Sequence, residues 1–381
     1  MVKNMMTIKL LPHNQKMVEE IETAIDSGVR NIFYSEATAL GKSFIFIYLV
    51  LKYFKDKKIL YICPRYSIWN NLQMIDEFKL IEDNVTMMCN ANFNKLKSEH
   101  FGYDVIFIDE AHHLHTDVQG SNIINVVNYT LNHNPNAYVF GCTATPNVGK
   151  EMIGDKYFDA SVMGMNHCEA EDKGVLRKIN YCIAINKDLN LTDSEKKLIR
   201  TKFNVDSTHI TVRSIIDRYS SINHWLAYFS NINELNENIE YFRIHFPEFK
   251  LFIIHSKIKN NKYELIEFER YSGKAILLSV SMVLEGIHPK SVEGILLYRN
   301  VQRENTLIQI IGRVSTMNKN FNPIVVDIYS SCKNLKNSAI VKTLKNRKSN
   351  NIRNHFSKEI LIAHSDTYPY IHHIYYISSH Q

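Results

Sequence analysis

Short, mostly apolar runs of strand-like character recur along the first half of the chain, at 32–35, 58–62, 85–88, 105–108 and 137–142. Between them, at 14–24, 42–53, 68–78 and 122–131, apolar residues fall at helical spacing. The run Val105-Ile106-Phe107-Ile108 is apolar at every position between Asp104 and Asp109, the pattern of a parallel strand covered on both faces. Alternation of such strands with helices predicts a doubly wound α/β domain whose ligands gather at the carboxyl ends of the strands. A second series follows: strands at 225–229, 251–255, 275–280, 294–298 and 323–328, with helices at 233–245, 263–271 and 306–312. The pattern therefore predicts two similar α/β domains in tandem, at 1–185 and 211–330, a connector at 186–210 and a basic, aromatic tail at 331–381. The wider region between the two series, about 147–210, is expected to carry one strand and one helix. Thr192-Asp193-Ser194-Glu195 has capping-box spacing for a helix starting near Asp193. The tail reads as a basic helical stretch to about 360, then a Tyr/His/Ile cluster around Pro369.

At 45% hydrophobic and 22% charged residues, the composition is that of a folded chain. The longest apolar run, 44–51, falls far short of the roughly 20 residues needed to cross a bilayer, which excludes a channel or transporter. Residues 1–6 lack the apolar segment of a secretory leader, and the cysteines are scattered without metal-knuckle spacing. A cytoplasmic protein with reduced, mostly buried thiols is expected, with no membrane partner. The net charge of +6 is carried by residues 331–381, where eight Lys or Arg face two acids. Such a tail suits a polyanion, or is simply a solvated end.

Two sequence features carry chemistry in the first domain. Thr38-Ala39-Leu40-Gly41-Lys42-Ser43 follows the strand at 32–35 and opens the helix at 42–53, the setting of a phosphate-binding loop. Backbone N–H groups there collect phosphate oxygens, Lys42 reaches the β and γ phosphates, and Ser43 can ligate Mg²⁺. Glu36 stands where the loop pattern has its first glycine, and Ala39 where glycine is frequent. The second feature, Asp109-Glu110-Ala111-His112, ends the strand at 105–108. Asp109 suits a metal, and Glu110 suits orienting or deprotonating a water. The alternative for this pair is a helix cap. His112, His113 and His115 lack a further ligand at zinc-finger spacing and read as local hydrogen bonding.

With these and five further segments in order, the chain resembles superfamily 2 helicases of the DEAD/DEAH-box type, in the branch similar to the type III restriction subunit. The segments are Pro12-His13-Asn14-Gln15, Cys63-Pro64-Arg65, Thr143-Ala144-Thr145-Pro146, the stretch 279–288 with Glu285-Gly286-Ile287-His288, and Gln309-Ile310-Ile311-Gly312-Arg313. The resemblance spans about residues 10–330 and implies two RecA-like P-loop NTPase domains, each a mostly parallel sheet flanked by helices.

It further implies ATP and Mg²⁺ as cofactors, with Gln15 on adenine and Gly286 beside the nucleotide. Lys42, Asp109, Glu110, Gln309 and Arg313 would be catalytic, Ser43 and Asp109 would hold the metal, and His112, Thr143 and Thr145 would couple the hydrolytic site to nucleic acid. Arg65, Ser256 and Lys257 would contact the nucleic-acid backbone. The family's second arginine is replaced by Thr316, so Arg313 acts alone, Arg299 or Arg303 substitutes, or hydrolysis is weak. Trp69 lies within a helical pattern and reads as core rather than a base-stacking platform. The expected activity is an ATP-dependent helicase or translocase acting on DNA rather than RNA, in defence against phage or in repair. A nuclease, a methyltransferase or another defence subunit would be its partner. The alternative is a weakly hydrolysing ATP-binding switch or scaffold within a larger complex.

Overall fold

In the computed structural model the described residues are 8, 10–89, 102–148, 151–185, 207–280, 291–299, 301, 304–312, 314, 323–328, 358–361 and 373–377. The chain divides into two compact units, the first reaching Ala170 and the second starting at Glu171.

In the first unit the predicted strands form β1 (Asn31–Ser35), β2 (Ile59–Cys63), β3 (Val85–Cys89), β4 (Val105–Asp109) and β5 (Tyr138–Thr143). After a short hairpin of β6 (Asn147–Val148) and β7 (Glu151–Met152), β8 (Ala160–Met163) returns to the same sheet. The sheet order is β3-β2-β4-β5-β1-β8, and every neighbouring pair is parallel. Alternation along each strand divides the core between the two faces. Tyr61, Val105, Phe107 and Phe140 pack with the helices Pro12–Asp26 and Lys42–Tyr53, whereas Leu60, Ile106, Ile108 and Val139 pack with Ile123 and Val126 of the helix Asp117–His133. A strand buried on both faces must be apolar throughout, which is why β4 was so legible.

The second unit is built the same way. Its strands are β9 (Asn180–Ile185), β10 (His224–Phe229), β11 (Lys250–Ile254), β12 (Ala275–Val280), β13 (Gly294–Leu297), β14 (Ile324–Asp327), β15 (Lys358–Leu361) and β16 (His373–Ile377). The order β11-β12-β10-β13-β14-β9 is parallel, and β16 and β15 extend the edge antiparallel. Leu226, Tyr228, Phe252 and Leu277 fill one face, and Trp225, Ala227, Phe229 and Ile276 the other, against Val212, Ile215 and Phe242. Both units thus have the mostly parallel, helix-flanked sheet of a RecA-like P-loop NTPase domain.

Three local expectations differ from the structure. The helix expected at 68–78 stops at Gln73 and resumes as a 3-10 turn at Asp76–Leu80, because Ile75 is extended (ψ 122°). The region 147–210 contributes more than one strand and one helix. β8 closes the first sheet, while β9, within the span assigned above to the first domain, pairs with β14 in the second. A helix occupies Ser207–Arg218, and the one expected near Asp193 lies outside the described residues. Residues 358–360 are strand rather than helix. There β15 pairs with β16, which in turn supplies the backbone partners of β9 on an otherwise open sheet edge.

Candidate nucleotide-binding and hydrolytic site

The loop 36–41 leaves the carboxyl end of β1 and enters the helix Lys42–Tyr53 through Gly41, whose φ of +97° suits glycine. A Cβ at Gly41 would lie 2.7 Å from the Asn14 amide nitrogen. Ala39 is also left-handed (φ +70°), a conformation that costs an L-residue about 1–2 kcal/mol and that glycine would relieve. The loop is held from beneath by the first helix. Asn14 Nδ2 donates to the Leu40 carbonyl at 2.9 Å, and His13 Nε2 lies 3.1 Å from the same oxygen. Lys42 Nζ rests on the loop's own carbonyls, 2.9 Å from that of Glu36 and 3.3 Å from that of Ala37.

Position 36 has no left-handed backbone, so the loop does not need glycine there. Glu36 is 1% exposed and its carboxylate turns into the protein, accepting from the Met165 N–H at 3.3 Å. It fills the space beside Gly164, where a Cβ would overlap Glu36 Oε2. With Ala37 N–H on the Met165 carbonyl and Gly164 N–H on that of Ser35, it fastens the loop to the segment after β8.

The two acids lie on the same sheet edge. Asp109 Oδ1 accepts from the Glu110 N–H at 2.9 Å, and Oδ2 from the Tyr61 hydroxyl at 2.8 Å. Burial pushes the Asp109 carboxyl up, and the neighbouring Glu110 charge adds to this. Glu110 has φ +52°, a strained backbone for a non-glycine residue. Burial alone would raise its carboxyl, but hydrogen bonding and charge from His112, aided by Lys42 and His113, outweigh this and hold it down at about 2. Glu110 is therefore ionised throughout the neutral range. Its depressed value favours the fold above about pH 4.5, a contribution lost as the pH falls toward 2.

Thr143, fully buried at the end of β5, joins the two halves of the site. Its carbonyl accepts from Ser35 Oγ at 3.0 Å and from Glu36 N–H at 3.3 Å, at the root of the loop 36–41. Its hydroxyl donates to Glu110 Oε2 at 3.2 Å and accepts from Thr145 N–H at 3.1 Å, with His112 Nδ1 at 2.9 Å. With its one proton given to Glu110, this arrangement assigns a proton to His112 Nδ1. Thr145 Oγ1 lies 3.4 Å from the same nitrogen. Burial, followed by the charge of His112, lowers His113 to about 4. His115 faces Glu151 at 3.7 Å.

Thr38, Ala39, Leu40, Gly41, Lys42, Ser43, Asp109, Glu110, His112, Thr143 and Thr145 are thus gathered at one edge of the first sheet. Hard oxygen donors from Ser43, Asp109 and Glu110 are the chemistry that suits Mg²⁺. Gln15 is exposed on the first helical turn, whereas its neighbour Asn14 holds the loop. Arg65 is exposed where the chain leaves β2, and Trp69 packs edge-on against Phe78 at 5.2 Å, in the core as expected. In the second unit, Ser256 and Lys257 are exposed just beyond β11, and Gln309 is half-buried on the helix Glu304–Ile311. Arg299 donates to the Tyr228 hydroxyl at 3.0 Å and lies over its ring. Gly286, Arg303, Arg313 and Thr316 lie outside the described residues.

Sequence reasoning passed over Asn14, Glu36 as a brace, and Tyr61. Asn14→Ala removes a buried donor from the Leu40 carbonyl and should lower stability by about 1–2 kcal/mol. The midpoint of urea unfolding would show this, and an unchanged midpoint would mean that His13 alone holds the loop.

Residues 86–148 match the family described as type III restriction enzyme, res subunit. No curated protein sequence matches the chain. Among solved structures, a DNA-bound ATP-dependent type ISP restriction-modification enzyme, LlaBIII, superposes with a TM-score of 0.62 at 13% identity, over 88% of this chain and 29% of that one. A fragment assigned to the HsdR subunit of a type I restriction enzyme from Vibrio vulnificus YJ016 gives 0.61 at 18% identity, over 84% and 64%. Dbp5 of S. cerevisiae, bound to RNA and ADP-BeF3, gives 0.57 at 13% identity, over 89% and 91%. The chain therefore spans less than a third of the first of these proteins and under two thirds of the second. At these identities the likeness establishes the fold, so the chain shares the tandem, mostly parallel α/β architecture of these restriction and RNA-bound proteins.

Proposed function

We propose that the protein is a nucleic-acid-stimulated ATPase that moves along or remodels DNA. The observation that carries this reading is the Thr143 junction, which ties the root of the phosphate loop to Glu110 within one sheet edge. Lys42 would leave the Glu36 and Ala37 carbonyls for the β and γ phosphates, whose oxygens the loop N–H groups would meet. Ser43 and Asp109 would hold Mg²⁺, which when bound neutralises phosphate charge. Glu110, ionised and fixed by Thr143 and His112, would orient the attacking water. Gln15 would serve adenine, and Gly286, Gln309 and Arg313 are assigned to nucleotide binding and hydrolysis on the motif match alone. Arg65, Ser256 and Lys257, exposed at strand ends, would contact phosphates. DNA is preferred because LlaBIII, among the similar folds, is a restriction-modification enzyme bound to DNA, and a nuclease or methyltransferase partner in phage defence fits the same comparison.

The second reading, an ATP-binding switch or scaffold, is favoured by Thr316 in place of the family's last arginine. Displacement of a third strand from a DNA triplex separates the two. The motor displaces it only with hydrolysable ATP, whereas a scaffold binds the triplex and leaves it intact.

A further inference from the structure

Strand β2 is apolar except at its centre, where Tyr61 stands between Leu60 and Ile62. The ring is 3% exposed and is fixed by Phe46 at 4.8 Å and Trp69 at 6.1 Å between ring centroids. In register, Tyr61 lies beside Phe107 of β4, and its hydroxyl reaches two residues further along that strand, to Asp109 Oδ2 at 2.8 Å. The other carboxylate oxygen, Oδ1, takes the Glu110 N–H at 2.9 Å and the Cys142 thiol at 3.4 Å. Donors from β2, β5 and the chain itself thus fix the plane of a single buried carboxylate. Packing alone does not account for a phenol here, because phenylalanine would fill the same volume without a buried polar atom.

We propose that Tyr61 is the positioning residue of the metal-side carboxylate: its hydroxyl holds Asp109 rotated for Mg²⁺ bound with the nucleotide, and Cys142 assists from the opposite strand. This rests on the ATPase reading above. Residues behind a metal ligand set its orientation, and their loss costs about 10–100-fold in metal affinity. Without the hydroxyl, Oδ2 loses its donor and the carboxylate turns.

The test is binding of a fluorescent ATP analogue to the full chain over a range of Mg²⁺ concentrations, alongside thermal melting. Tyr61→Phe should raise the Mg²⁺ concentration for half-maximal enhancement about 10–100-fold. Affinity for the analogue in EDTA should stay within about twofold of wild type, since the phosphate loop is untouched. Cys142→Ala should shift the Mg²⁺ requirement in the same direction by less, and Cys142→Ser, which keeps a donor, should restore it. An unchanged Mg²⁺ requirement in Tyr61→Phe that melts like wild type overturns the proposal while leaving the ATPase reading intact. Equal loss of affinity with and without Mg²⁺ also overturns it, because that is a general packing defect. Wild-type binding that ignores Mg²⁺ overturns both.

Discussion

Replacing Glu110 with glutamine should leave ATP binding near the wild-type level and lower turnover by about 10²–10⁴-fold. The amide fills the same volume and can still accept from the Thr143 hydroxyl, now 3.2 Å from Glu110 Oε2, so the left-handed turn and the loop root should persist. What disappears is the negative charge that His112 stabilises and that aligns a water for attack. Lys42→Ala should fail differently. It removes the cation that the loop stores against the Glu36 and Ala37 carbonyls, so affinity and turnover fall together. Fluorescent-nucleotide titration and phosphate release on the two purified variants separate these patterns. Substantial turnover in both would end the P-loop ATPase account.

Nucleic-acid affinity should fall steeply with salt, by about 10³–10⁵ between 50 and 200 mM if six to ten phosphates are neutralised. The side chains proposed for contact are Arg65 and Lys257, exposed where the chain leaves β2 and β11, beside Ser256. None belongs to a base-reading element, so binding should vary little with sequence. Arg65→Ala and Lys257→Ala should each reduce the slope of log affinity against log salt by about one and weaken all sequences alike. Removing residues 331–381 would also remove β15 and β16 from the second sheet, so these point variants are the cleaner probe. An unchanged slope in both would take these residues out of the interface.

The strands of both sheets were legible because parallel strands covered on two faces carry continuous apolar runs, as at 105–108 and 275–280. The strand-end placement of the loop 36–41 and of Asp109-Glu110 was legible because the apolar strands that precede them stand out from the sequence around them. Asn14 was not, although the signal was present. It sits on the buried stripe of its helix with Met17, Val18, Ile21 and Ile25, and a polar residue on such a stripe must find a partner. Its neighbour Gln15, the residue expected on adenine, is exposed. Glu36 read as a defect in the loop pattern because its compensating Gly164 is distant in sequence and adjacent only after β8 pairs with β1. The strands at 358–361 and 373–377 escaped notice for a similar reason, since short edge strands draw their definition from a neighbour, here β9, rather than from their own pattern.

Whether nucleic acid drives this chain's ATP hydrolysis is decided by its steady-state rate, measured on the purified chain with Mg²⁺ and titrated with single-stranded DNA, duplex DNA and RNA. A nucleic-acid-stimulated ATPase should show a low basal rate that rises at least several-fold with DNA, and that stays low in Glu110→Gln whatever is added. A rate unaffected by any nucleic acid, or no hydrolysis at all from a folded protein that binds ATP, would contradict that reading.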